Sequence, residues 1–116
     1  MEKKNRDFEL FKKEFTKWQE KLGLTSFKVY FKYESLEDRF ASIRFNTSSM
    51  VASVGLNDKL PKENKPFKDV KFSARHEVSH LLIAKLEDLA NHRYVAEREI
   101  DEASEELANK IADLLG

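Results

Sequence analysis

The sequence lacks cysteine, an excess of charge of either sign, and any long apolar run. Without cysteine the chain forms no disulfide and no thiolate metal site, so only histidine, aspartate and glutamate side chains can hold a metal ion. The 21 basic residues balance the 21 acidic residues, which argues against binding of nucleic acid through bulk charge. We therefore expect no nucleic-acid partner.

The hydropathy pattern predicts neither a membrane span nor an export signal. The longest apolar run, Leu81-Leu82-Ile83-Ala84, is far too short to cross a bilayer, and the start of the chain is polar. The absence of cysteine is also typical of a reducing compartment. We expect a cytoplasmic protein with no membrane partner, folded as one domain over residues 1–116.

The spacing of apolar residues predicts a helix and then three strands. The first helix ends at Gly23 and carries an apolar, largely aromatic stripe, which consists of Phe8, Phe11, Phe15, Trp18 and Leu22. Alternating apolar and polar residues predict strands at 27–34, 41–48 and 50–57, and their short connections favour an antiparallel meander. A polar loop with two prolines follows over 57–68.

The remainder of the chain is expected to be helical. Periodic apolar residues predict one helix over 70–90 and another over 95–115. The core face of the last helix is expected to carry Ile100, Ala103, Leu107, Ile111 and Leu114. Strands grouped between helices predict an α+β domain, in which the helices pack on a small three-stranded antiparallel sheet.

One motif, His76-Glu77-Val78-Ser79-His80, lies inside the helix predicted over 70–90. Histidines four residues apart project from one face of a helix, so both imidazoles can reach one metal ion. Neutral imidazole suits Zn²⁺, and the adjacent Glu77 can act as general base toward a water molecule at that ion. We predict one zinc ion per chain, and note that such sites also accept Mn²⁺, Fe²⁺ or Co²⁺.

A catalytic zinc has three protein ligands and one open position, so the third ligand must come from elsewhere. On a helical wheel of the last helix, Glu97, Asp101 and Glu105 lie in one row beside the apolar face, and the wheel favours the row through Glu105. Glu102 points almost away from that face, and Glu106 lies on its other side. His92, just past the motif helix, is a competing ligand that would give a three-histidine site.

With this motif the chain resembles small zincin metallopeptidases, in particular the compact metallopeptidases of phages and prophages. More distantly, it is similar to SprT-like and ImmA/IrrE-type zinc proteases. The ImmA/IrrE-type stretch E-x-E-A-N-x-F-A is similar to residues 105–112, and its first glutamate corresponds to Glu105. If the second glutamate is the ligand, Leu107 stands in its place and the neighbouring Glu106 becomes the candidate.

Other comparisons within the zincins imply other third ligands. A thermolysin-like E-A-x-x-D stretch would select Glu102, and the later histidine of SprT-like proteins would correspond to His92. His92 or Tyr94 could instead hydrogen-bond the oxyanion that forms during hydrolysis. The resemblance as a whole implies a minimal zincin fold and a protein or peptide substrate that lies along a sheet edge.

Together these observations predict a zinc metallopeptidase in which His76, His80 and Glu105 hold the metal and Glu77 activates water. The alternative is a non-catalytic protein-binding module on a zincin scaffold, with a structural metal or none. An open, water-bearing position on the metal would favour the enzyme, whereas a closed site would favour the module.

Overall fold

In the computed structural model, which describes residues 3–37, 39–59, 69–92 and 94–115, four helices accompany one three-stranded sheet. The elements are α1 (Lys3–Lys21), β1 (Lys28–Glu34), β2 (Ala41–Asn46), β3 (Val51–Asn57), α2 (Val70–Leu82), α3 (Ala84–Ala90) and α4 (Glu97–Leu115). The predicted α+β class is confirmed. Of the polar loop predicted over 57–68, all but the first three residues lie outside the described ranges. No helix in these ranges is both long and apolar enough to cross a membrane.

The sheet is mixed, so the prediction of an antiparallel meander is wrong. The strand order is β1-β3-β2, with the last strand in the centre. β3 pairs with β1 in parallel, which places Tyr30 opposite Ser53. On its other side β3 pairs with β2 in antiparallel orientation, which places Arg44 opposite the same serine.

The central position of β3 follows from its composition. It carries no charged residue and is buried at position 52 and over 54–57, whereas β1 alternates between exposed and half-buried positions. A strand that is covered on both faces is stabilised most in the middle of a sheet, and strands with charged side chains suit the edges. The link from β1 to β2 therefore crosses the end of β3. There the Asn57 amide donates to the Leu36 and Arg39 carbonyls at 2.7 and 2.8 Å.

One core joins the sheet to α1 and α2. The predicted stripe of α1 lies in this core, where Phe11 and Phe15 are fully buried and each meets the Phe31 ring edge-on. The other buried core residues are Leu22, Leu24, Ala52, Val54, Leu56, Ala74, Val78 and Leu81. Burial of one large side chain contributes about 1.5–3 kcal/mol, so the packing of Val78 and Leu81 in this core fixes α2 firmly in place.

The end of α1 is built as the sequence predicts. Gly23 has a φ of 69°, a left-handed conformation that glycine adopts without strain. The Leu24 N–H donates to the Gln19 carbonyl at 2.8 Å and the Gly23 N–H to the Glu20 carbonyl at 3.1 Å, which is a Schellman motif. The Gln19 side-chain amide also donates to the Leu24 and Phe27 carbonyls, and so ties the helix end to the start of β1.

The single helix predicted over 70–90 is divided at Ile83 into α2 and α3, so this prediction is wrong in that respect. Ile83 has φ −95° and ψ 5°, outside regular helical geometry, and its N–H bonds to the Ser79 carbonyl at 3.2 Å. No glycine or proline marks the interruption. The apolar period also continues through it, because Leu81 and Ala84 on either side are both buried.

The last helix, α4, is less buried than its apolar period predicts. Ala103 is buried, but the other expected core residues are exposed or half-buried: Ile100, Leu107, Ile111 and Leu114. Polar contacts hold α4 to the rest of the molecule. The Lys85 ammonium donates to Glu106 at 2.9 Å, and the Lys110 ammonium donates to the Gly23 carbonyl at 3.2 Å.

Candidate metal centre

Helix α2 presents the motif histidines on an accessible face. The helix begins at the N-cap Asp69, whose carboxylate accepts the Phe72 N–H at 2.9 Å. Its opposite face is buried in the core through Ser73, Ala74, Glu77, Val78 and Leu81. Positions 76 and 80 are therefore directed away from the core, with His76 exposed and His80 half-buried.

The two imidazoles converge through the same ring nitrogen. The Nε2 atoms of His76 and His80 are 3.3 Å apart, and the rings meet edge to face with centroids 4.9 Å apart. Two nitrogens that bind one tetrahedral zinc at about 2.0–2.1 Å are themselves about 3.3–3.4 Å apart. The separation in this protein therefore fits two ligands of a single zinc ion.

Glu77 points from the buried side of α2 toward the same place. Ligand atoms of His76, Glu77 and His80 all lie within 4.8 Å of one another. The residue is only 4% exposed, and its buried Oε2 has no hydrogen-bond partner among the described residues. Buried carboxylate oxygens are nearly always satisfied, so this atom marks a place for a cation or a water molecule. The donor set fits a metal ion.

Burial also sets the electrostatics of Glu77. Loss of solvation raises the pKa of its carboxyl, while the electrostatic influence of His76, His80 and Arg39 acts in the opposite direction. A carboxylate with a raised pKa is a stronger base than a surface glutamate.

A partly buried polar contact fixes the start of the motif. Glu14 of α1 accepts hydrogen bonds from the Trp18 indole N–H at 2.9 Å and from the Arg75 guanidinium at 3.1 Å. The Trp18 hydrogen bond is the main reason that the pKa of Glu14 is lowered, and burial acts against it. Because Arg75 directly precedes His76, this contact anchors α2 next to the first histidine.

The structure does not bring the candidate third ligands to this cluster. Glu105 is exposed on α4 and is not a member of the group within 4.8 Å. The same holds for the alternatives, each of which is exposed: Asp101, Glu102, Glu106 and His92. Three of these have other partners, since Glu102 pairs with Arg98, Glu106 with Lys85 and His92 with Asp88. Glu105 as a ligand stays a prediction.

Two residues near the motif were not predicted from the sequence. Oε1 of Glu87, on α3, lies 3.8 Å from Nδ1 of His80. Phe72, one turn before His76, is 57% exposed and its ring stacks on the imidazole, with centroids 6.2 Å apart. Phe72 stands four residues before His76 and Glu87 seven after His80, so the helical period does place both on the motif's side.

No family model, curated protein or solved structure matches this chain. A function can therefore be inferred only from the chemistry and arrangement of the described residues.

Proposed function

We propose that this protein is a zinc-dependent metallopeptidase with a zincin-like fold. His76 and His80 bind the metal through Nε2, and Glu77 is the general base. The observation that carries the proposal is the 3.3 Å separation of the two Nε2 atoms beside a buried carboxylate oxygen without a partner. A structural pair of histidines would not need a charged group buried next to it.

The chemistry is divided between the metal and Glu77. Zinc, when bound, supplies a Lewis acid that polarises a carbonyl and lowers the pKa of water. The Glu77 carboxylate accepts a proton from the attacking water and passes it to the leaving amine as the C–N bond breaks. Its burial supports this role, because a raised pKa lets the carboxyl both take up and release that proton.

The surroundings favour an extended peptide as substrate. Strand β2 contacts α2, and in the described part of the chain it pairs with β3 on one edge only. A peptide can add to such a free edge through main-chain hydrogen bonds. The exposed Phe72 ring next to His76 offers an apolar contact for a substrate side chain.

For the third ligand we keep Glu105, on the basis of the sequence alone. Its carboxylate would reach the cluster only if α4 approached the motif. Zinc affinity of Glu105→Gln tests this, with the exposed Glu99→Gln of the same helix as matched control. Loss of a ligand should weaken zinc binding at least about tenfold, and equal affinity of the two variants would exclude Glu105.

The function is tested with a mixture of synthetic peptides of randomised sequence. Zinc-loaded wild type, Glu77→Gln and Glu99→Gln are incubated with the mixture, and the fragments are quantified by mass spectrometry. Wild type and Glu99→Gln should release the same fragments, and Glu77→Gln should keep its zinc but cleave about 10²–10⁴-fold more slowly. Cleavage by Glu77→Gln at the wild-type rate would refute the general-base role. A fully zinc-loaded wild type that cleaves none of the peptides would instead support a binding module.

A further inference from the structure

The two nitrogens of His80 face different partners. Nε2 lies 3.3 Å from Nε2 of His76, on the side where the proposed ion would bind. Nδ1, on the opposite side of the ring, lies 3.8 Å from Oε1 of Glu87. The Glu87 carboxylate therefore lies beside the nitrogen that does not face the proposed ion, and it is not part of the group that could hold the ion.

The fold holds Glu87 in this place. Residues seven apart in an uninterrupted helix are separated by about 10.5 Å of rise, which is long for a contact between a histidine and a glutamate. Here the interruption at Ile83 puts the two residues on separate helices. Helix α3 is fixed at its start by the fully buried Ala84, and Asp88, next to Glu87, accepts the Thr47 hydroxyl at 2.6 Å.

The charge and exposure of the pair suit an orienting contact. At 3.8 Å the two atoms are at ion-pair distance, beyond a hydrogen bond. Both side chains are about two-fifths exposed, so neither is locked in place by burial. A metal-binding histidine usually donates its other N–H to a carboxylate, which fixes the tautomer and strengthens the ligand.

We propose that Glu87 is a positioning residue for His80: its carboxylate keeps the imidazole proton on Nδ1 and leaves the Nε2 lone pair for the metal. This inference rests on the proposed metal site, but the tautomer of His80 is a property of the metal-free protein as well. Glu87 itself binds no metal in this arrangement.

Two measurements on Glu87→Ala test the proposal, with Glu99→Ala as matched control. The first is the tautomer of His80 in metal-free protein at pH 8, from long-range ¹H–¹⁵N correlations of the labelled ring. Wild type and Glu99→Ala should carry the proton on Nδ1, and Glu87→Ala should shift it toward Nε2. The second is the zinc dissociation constant, by competition with a chromophoric chelator. Glu87→Ala should raise it about 10–100-fold while the full stoichiometry is kept.

The outcomes separate this proposal from the proposed function. An unchanged tautomer together with unchanged zinc affinity would overturn the positioning role. Complete loss of zinc from Glu87→Ala would also overturn it, because Glu87 would then be a direct ligand. If wild type binds no zinc, the metallopeptidase fails, and the tautomer in metal-free protein still decides the role of Glu87. Glu87→Gln serves if the alanine variant does not fold, with an intermediate shift expected because the amide oxygen still accepts a hydrogen bond.

Discussion

Nε2 of His76 and Nε2 of His80 lie 3.3 Å apart on successive turns of α2, with the carboxylate of Glu77 close to both. A single proton shared by two imidazoles would hold them at a similar distance. The buried Oε2 of Glu77, which has no hydrogen-bond partner among the described residues, favours a cation instead. The proposed function therefore depends on metal binding, and the residues around the cluster allow further predictions.

The first prediction concerns the cost of burying Glu77. Burial raises the pKa of its carboxyl, so the folded state disfavours the charge that the group carries at pH 7 in the unfolded chain. Without metal, Glu77→Gln should therefore increase the free energy of unfolding at pH 7 by about 1 kcal/mol, measured by urea denaturation. Glu99→Gln, on the surface, should change it little. A clear loss of stability in metal-free Glu77→Gln would show that the ionised carboxylate is satisfied in the fold.

The second prediction concerns the pH dependence that Glu14 confers. The Trp18 hydrogen bond, with help from Arg75, holds the pKa of Glu14 below 4.5 in the folded state. A lowered pKa stabilises the fold above the unfolded value, and this contribution is lost as the pH falls through the folded value. Glu14→Gln should therefore unfold more easily than wild type at pH 7, by about 1 kcal/mol, and the difference should shrink as the pH falls below about 4.5.

The control for Glu14 is Glu9→Gln. Glu9 is exposed and pairs with Lys12 on the surface of the same helix. Urea denaturation at several pH values should show little effect of Glu9→Gln. A Glu14→Gln protein that is as stable as wild type at pH 7 would contradict the role of the Glu14–Arg75 contact.

The third prediction distinguishes the mixed sheet from the antiparallel meander. The chain has no cysteine of its own, so pairs can be introduced cleanly. Tyr30 and Ser53 are direct partners on neighbouring strands. The distance between their Cα atoms therefore lies in the range of about 4.4–6.8 Å that a disulfide needs. Tyr30 on β1 and Arg44 on β2 are both paired with Ser53, from opposite sides of β3. Their Cα atoms are therefore two strand spacings apart, about 9.5 Å.

Oxidation of purified double variants tests this geometry. Tyr30→Cys with Ser53→Cys should form an intramolecular disulfide in high yield, seen as loss of free thiol without a change in oligomeric state. Tyr30→Cys with Arg44→Cys should keep both thiols. The reverse pattern would be the result of a meander in which β1 and β2 are neighbours.

The spacing of residues in the sequence predicted which side chains share one face of a helix. The stripe through Phe11 and Phe15 buries α1, and the four-residue spacing of His76 and His80 brings the rings together. Both follow from 3.6 residues per turn, with no knowledge of the rest of the fold.

Features that depend on packing between elements were not predicted. Short connections favoured a meander. The observed strand order instead follows from the burial of β3 on both faces. The absence of charged residues in β3 is consistent with that burial but did not predict it. The seven-residue spacing places Glu87 on the same side as His80. The interruption at Ile83 has no glycine or proline to mark it, however, so the 3.8 Å contact between the two residues was not predictable. The placement of Glu105 depends on how α4 packs, and the apolar period of α4 overstates its burial.

Metal binding by His76 and His80 is tested by the zinc content per chain, by mass spectrometry after zinc loading and dialysis. Wild type, His80→Ala and the control His92→Ala are compared, since His92 is exposed and lies outside the cluster. We predict close to one zinc per chain in wild type and His92→Ala, and little or none in His80→Ala. A wild type without zinc after loading, or a His80→Ala that keeps it, would contradict metal binding at this site.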